Sequence, residues 1–159
     1  MNFDGASKGN LGASGFGAIV RDEEGNLVGA VCGQAGFVSN NIAEIIALEE
    51  GLKWTAVNDI KKVVIEGDSK VILSGIINHW FTNWQLNAWI PRIYGHLQNF
   101  TDYQFQHTYH KGNKVANLLA NHGIAGTLPA VISPVNARNR DIQHRLLEDR
   151  AHIPRTGID

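Results

Sequence analysis

In the pattern of apolar and polar positions, the first 36 residues of the chain read as strands. The run NFDGAS puts Phe3 and Gly5 on one face of an extended segment, and Asn2, Asp4 and Ala6 on the other. GFGAIVRD and NLVGAVCGQ are two further strand-like runs, joined through RDEEGN, an acidic turn carrying a glycine. Short connections of this kind predict an antiparallel meander. The period then changes. SNNIAEIIALEEGLKWTAV reads as a helix that Ser39, Asn40 or Asn41 can cap, with Glu44 able to complete a capping box. KKVVIEGD (61–68) is a buried-type strand, and SKVILSGII (69–77) starts a helix at once. A polar, tryptophan-rich link, NHWFTNWQ, leads into a helical LNAWIPRIYGHLQNF in which Pro91 must sit near the start or cause a kink. YQFQHTYH (103–110) alternates like a strand. In the last periodic segment, GNKVANLLANHG, Val115, Leu118, Leu119 and His122 fall at i, i+3, i+4 and i+7. Its second row, Asn113, Ala116, Asn117 and Ala120, is small enough to let the helix approach a neighbour closely.

The element order β-β-β-α-β-α-α-β-α predicts an α/β domain with a mixed sheet flanked by helices. Periodicity fades after residue 125, so residues 1–125 are read as the domain and 126–159 as a C-terminal tail, partly ordered or with one short helix at DIQHRLLEDRA. A length of 159 residues suits one domain with a sizeable core. The composition, 43% hydrophobic and 18% charged, is that of a soluble globular protein, and no apolar run approaches the roughly 20 residues that span a bilayer. The start, MNFDGASKGN, has no basic-then-apolar leader, and the expectation is an intracellular protein, nuclear or cytoplasmic, with no membrane partner. The single Cys32 excludes an internal disulfide and a cysteine-based zinc site. A formal net charge of −1 advertises no nucleic acid, so any phosphate-binding surface has to be local.

Most acidic residues fit a solvated surface: Asp22, Glu23 and Glu24 in a turn, Glu49 and Glu50 on a helix, Asp59 in a loop. Three are placed differently. Asp4 interrupts a strand, where Asp is disfavoured. Asp68 ends the Val63–Ile65 run at a strand's carboxyl end, where open α/β sheets place their sites. Glu44 shares a helix row with Leu48 and Leu52, which directs it at the sheet. Each also has a purely structural reading: a solubilising edge residue for Asp4, a capping-box partner for Glu44, a helix N-cap for Asp68. If the first and fourth strands are neighbours, the three carboxylates meet at one end of the sheet. Clustered carboxylates repel unless protonated or holding a cation, and an all-oxygen set selects hard ions such as Mg²⁺ or Mn²⁺.

The stretches FDGASKGNLGASGFGAIVRDEEGNLV, SNNIAEIIALEEGL, VIEGDSKVILSGI and HTYHKGNKVANLLANHG resemble, in order and spacing, the type-1 ribonuclease H domain. The resemblance is closest to the ribonuclease H-like domains of plant retroelement reverse transcriptases and their domesticated relatives, and spans about residues 2–124. It implies a ribonuclease H-like fold with a five-stranded mixed sheet whose first three strands are antiparallel. It also implies endonucleolytic cleavage of the RNA strand of an RNA–DNA hybrid with two Mg²⁺ ions, Mn²⁺ being a possible substitute. Asp4, Glu44 and Asp68 match the family's first three metal-binding carboxylates. His107, ten residues before Asn117, matches a mobile-loop histidine that assists proton transfer or product release, with His110 a nearby substitute. Gly5, Asn10, Ser39, Asn40 and Asn41 match positions that hold the phosphates and sugars of the hybrid. A monomer is expected, drawn in such retroelements from a larger polyprotein.

Two departures stand out. The family has a fourth carboxylate one turn into the last helix, and here that position is Asn117, whose amide carbonyl can ligate Mg²⁺ without contributing charge. Weaker binding of one ion is expected, and with it either a slowed ribonuclease or a domain that binds nucleic acid without cutting. The region between Asp68 and the last strand also lacks a basic grip: between residues 69 and 106 only Lys70 and Arg92 are basic. Trp80, Trp84 and Trp89 are expected to pack that region against the sheet rather than to stack on bases.

Overall fold

A computed structural model of the chain describes residues 1–139. Strands β1 (Asn2–Ser7), β2 (Gly12–Arg21) and β3 (Leu27–Val38) form the expected antiparallel meander. Helix α1 (Asn40–Val57) leads to β4 (Lys62–Gly67), which pairs parallel to β1 through Asn2 and Glu66. Helices α2 (Lys70–Ile77), α3 (Trp84–Asn87) and α4 (Trp89–Leu97) precede β5 (Asp102–His107), parallel to β4. A single turn of 3-10 helix, His110–Asn113, opens into α5 (Lys114–Ala125). With a last strand β6 at Val131–Ile132, the sheet order is β5-β4-β1-β2-β3-β6, so β1 and β4 are neighbours and their carboxylates come together. No helix among the described residues is long and apolar enough to cross a membrane.

Both faces of the sheet are covered. On one side α1, α2 and α4 pack Ile45, Leu48, Leu52, Ile72, Ile76 and Ile93 against Phe3, Val31, Val63 and Ile65. On the other, α5 sets Val115, Leu118 and Leu119 against Ile19, Leu27, Ala30 and Cys32. The small row predicted for α5 is used as expected. A Cβ on Gly17 would lie 2.5 Å from the Leu119 Cβ and 2.8 Å from the Ala116 carbonyl oxygen, so helix and strand approach at backbone distance only because position 17 has no side chain. Gly5 does the same on the opposite face, where an added Cβ would stand 2.2 Å from the Ala43 carbonyl carbon and the Glu44 nitrogen.

The structure differs from the sequence-based expectation in several places. The sheet has six strands rather than five: Val131–Ile132 forms β6, an antiparallel partner of β3, within the segment read as a tail. Ile132 and Ala137 are buried in the core beneath α5, which gives a two-residue strand its stability. The short helix expected at 141–151 lies outside the described residues. The tryptophan-rich region forms two helices, with Pro91 in the first turn of α4, where its missing N–H leaves no helical bond unmade. Of the three tryptophans only Trp89 packs against the core; Trp80 and Trp84 are exposed. Glu49 is not a surface acid but is 3% exposed. Arg92 grips it with two bonds, Nε to Oε2 at 3.0 Å and Nη2 to Oε1 at 2.6 Å, with Lys53 and His96 at 3.7 and 3.6 Å. The guanidinium also lies 4.2 Å from the Trp89 ring centroid. This ion pair clasps α4 to α1, a role invisible in the sequence because its partner is 43 residues away.

Candidate active site

Asp4 projects from β1 on the α5 side, Asp68 follows directly on β4, and Glu44 reaches in from the second turn of α1. One ligand oxygen from each of the three lies within 4.8 Å of the others. The purely structural readings of these acids are excluded by the caps the helices actually use. Ser39 caps α1 by accepting from Ile42 N, and Ser69 caps α2 by accepting from Ile72 N. Asp4 belongs to a strand paired on both sides, not to a sheet edge.

The cluster is electrostatically uncomfortable. Burial, then the neighbouring Asp68 charge, raises the Asp4 carboxyl to about 6, although the Asn117 amide and the Gly5 N–H partly offset this. Burial, then Asp4 and Asp68, raises Glu44 further, to about 8. Glu44 Oε2 is a buried oxygen with no hydrogen-bond partner among the described residues. A buried polar atom left unpaired costs free energy, and here it belongs to a carboxylate that sits beside two others. A hard divalent cation answers both features at once, because it ligates the orphaned oxygen and cancels the mutual repulsion. The residues therefore fit such an ion.

Of the remaining predicted residues, Asn117, His107 and His110 contact Asp4 or Asp68, whereas Asn10, Asn40 and Asn41 contact other segments. Asn117 is half-buried one turn into α5, and its Nδ2 donates to Asp4 Oδ2 at 3.0 Å. The Gly5 N–H donates to the other Asp4 oxygen at 2.9 Å. His107, at the end of β5, donates through Nε2 to the Asp68 carbonyl oxygen at 3.2 Å and does not face the carboxylate. His110, in the exposed turn before α5, is the histidine whose Nδ1 stands 3.3 Å from Asp68 Oδ2. Asn10 and Asn40 are joined in series: Asn10 Oδ1 accepts from Asn40 N at 3.1 Å, and Asn40 Oδ1 accepts from Ser7 N at 2.9 Å. Their carbonyl oxygens are thus engaged at the mouth of α1. Asn41 lies apart from that chain, lining a hollow with Lys70, Trp80 and Phe81.

Sequence reasoning missed Asn113, which is 1% exposed. Its Nδ2 donates to the Phe3 carbonyl at 2.9 Å, and its Oδ1 accepts from Asn2, whose amide also reaches Glu66. This network ties the His110 turn to β1 and β4. Its place in the small row of α5 was legible; its burial as a hydrogen-bonded amide was not.

Residues 2–123 match the family model described as reverse transcriptase-like. Ribonuclease H of Bordetella avium is 32% identical over 138 residues, an alignment covering 77% of this chain and 87% of that protein. The crystal structure of RNase H1 from the halophilic archaeon Halobacterium salinarum superposes with a TM-score of 0.75 at 29% identity, covering 79% of this chain and 96% of that one. LC11-RNase H1 in complex with an RNA/DNA hybrid gives 0.72 at 25% identity, covering 80% and 97%. The chain belongs to the ribonuclease H family of enzymes.

Proposed function

We propose that this chain cleaves the RNA strand of an RNA–DNA hybrid endonucleolytically, by phosphodiester hydrolysis at the Asp4–Glu44–Asp68 cluster, with Mg²⁺ as its ion and Mn²⁺ as a substitute. The observation that carries the reading is the orphaned Glu44 oxygen inside a ring of three carboxylates, in a family whose members include a ribonuclease H solved on such a hybrid. When bound, divalent ions supply an activated water and stabilise the charge that builds on the leaving 3′-oxygen, and the resemblance implies two of them. Asp4, Glu44 and Asp68 hold the cation side of the site. His110, beside Asp68 and exposed to solvent, is placed to pass a proton to or from bulk water, while His107 anchors the same loop through the Asp68 carbonyl. The Asn10 and Asn40 oxygens are occupied by backbone donors, which leaves their Nδ2 groups to meet phosphate and 2′-hydroxyl oxygens of the substrate. Neutral donors of this kind recognise the backbone and read no base. Arg92 is committed to Glu49, so Lys70 is the basic residue left between positions 69 and 106 to grip phosphate, and a shallow salt dependence follows.

A second reading, a domain that binds hybrids but cuts slowly or not at all, is favoured by the Asn117 amide standing where the family has a carboxylate. Labelled hybrid and matched duplex DNA, incubated across Mg²⁺ and Mn²⁺ series, separate the two. The ribonuclease reading expects cleavage of the hybrid alone, abolished by Asp4→Asn or Asp68→Asn. Cleavage unchanged in Asp4→Asn would falsify the site assignment, and binding without turnover in either ion would select the second reading.

A further inference from the structure

The Asn117 side chain is held at both ends. Its Nδ2 donates to Asp4 Oδ2 at 3.0 Å, and its Oδ1 accepts from Asn121 Nδ2 at 3.3 Å. Asn121 lies one turn further along α5 and also donates to the Asn117 backbone carbonyl at 2.9 Å. The Asn121 Nδ2 thereby contacts residue 117 twice, at its backbone and its side-chain carbonyl oxygen. A primary amide has one end that can ligate a cation, the carbonyl oxygen, and one that cannot, the NH₂. An asparagine among carboxylates can turn either end towards them. Here a donor from the next turn occupies the carbonyl oxygen and leaves the NH₂ for Asp4.

We propose that Asn121 is a positioning residue: it makes position 117 a hydrogen-bond donor to Asp4 and withholds its carbonyl oxygen from cations. The proposal rests on reading the cluster as a divalent-ion site. The free protein then takes one ion on Asp4, Glu44 and Asp68. A second ion needs the Asn117 amide to turn over, which breaks the bond from Asn121 Nδ2 and the bond to Asp4 Oδ2 together. Asn121 thus sets the ion requirement of the site without touching an ion.

Mn²⁺ is titrated into the free, full-length protein near neutral pH, and unbound ion is read by electron paramagnetic resonance. Wild type is expected to take one ion tightly. Asn121→Leu keeps that ion and tightens the second by roughly threefold, the share of one exposed neutral hydrogen bond; Asn121→Ala, which also lacks the donor, does the same. Asn117→Asp takes two ions whatever stands at position 121. Position 121 is exposed on the helix, and Leu and Ala are strong helix formers, so both variants keep the fold. Two equally tight ions on wild type, or titrations of both Asn121 variants that overlay on wild type, overturn the proposal. Hybrid cleavage by the same preparations reports separately. Absence of cleavage counts against the ribonuclease reading and leaves the ion count standing, whereas cleavage with the wrong ion count counts against Asn121 alone.

Discussion

Replacing Asn117 by Asp should weaken the metal-free protein and strengthen its response to divalent ions. The substitution exchanges an N–H···O contact of 3.0 Å for two carboxylate oxygens at similar separation. At that distance two unit charges repel by roughly 5 kcal/mol for an effective dielectric constant of about 20. Asn117 is only half-buried, and the new side chain can lean towards solvent, so about 2–3 kcal/mol is the expected cost, lost hydrogen bond included. For a domain of this size that is about 5–10 °C in Tm. The sign of the pH dependence follows from Asp4, whose carboxyl is already raised to about 6. A second carboxylate raises the pair further, so the folded state holds protons that the unfolded chain releases near pH 4. Stability therefore falls as pH rises from roughly 4 upwards, and the deficit of the variant in EDTA should widen with pH and close in acid. Mg²⁺ reverses the order, because added negative charge draws the ion that relieves the repulsion. Thermal melts of both proteins in EDTA and along a Mg²⁺ series, at several pH values, measure this. Equal melting temperatures in EDTA, or an equal rise with Mg²⁺, would refute the placement of residue 117 beside Asp4.

The buried Glu44 carboxyl, raised to about 8, penalises the folded state progressively between about pH 4.5 and pH 8. Glu44→Gln should remove that penalty, raising the EDTA melting temperature by several degrees above pH 8 but little at pH 5, while abolishing hybrid cleavage; a loss of stability at high pH would contradict the assigned cause. Arg92→Leu leaves Glu49 buried with Lys53 and the His96 imidazole as its remaining neighbours. Because Arg92 is 55% exposed, about 2 kcal/mol is expected rather than the full cost of a buried pair. The double variant Glu49→Leu/Arg92→Leu should recover most of this in urea unfolding, and additive losses would mean that the pair is not coupled. Gly5→Ala drives a methyl group into the backbone of α1 at Ala43 and Glu44, so it should cost more than about 2 kcal/mol and weaken Mn²⁺ binding by displacing Glu44. Wild-type Mn²⁺ affinity in a folded Gly5→Ala protein would show that α1 yields without moving the site.

Local periodicity carried much of the architecture. Three strand-like runs with short connections marked the meander, the four-residue spacing of Glu44, Leu48 and Leu52 aimed α1 at the sheet, and the Ala116–Ala120 row anticipated the close approach of α5 to Gly17. These are properties of single segments, written in residues a few positions apart. The acids themselves could be singled out locally: Asp4 interrupts a strand, Asp68 follows the carboxyl end of one, and Glu44 shares a helix row with Leu48 and Leu52. The tertiary structure decided everything that depends on a partner far along the chain. It buried Glu49 under Arg92, left Trp80 and Trp84 in solvent, and recruited Val131–Ile132 as a sixth strand through contacts with β3 that no local pattern encodes. It chose His110 over His107 as the neighbour of the Asp68 carboxylate, because the paired end of β5 turns the His107 ring to a backbone carbonyl. It also settled which end of the Asn117 amide faces Asp4. The sequence determined that an amide stands at position 117; only the fold turned its Nδ2 towards Asp4 and its Oδ1 towards Asn121 on the next turn of α5.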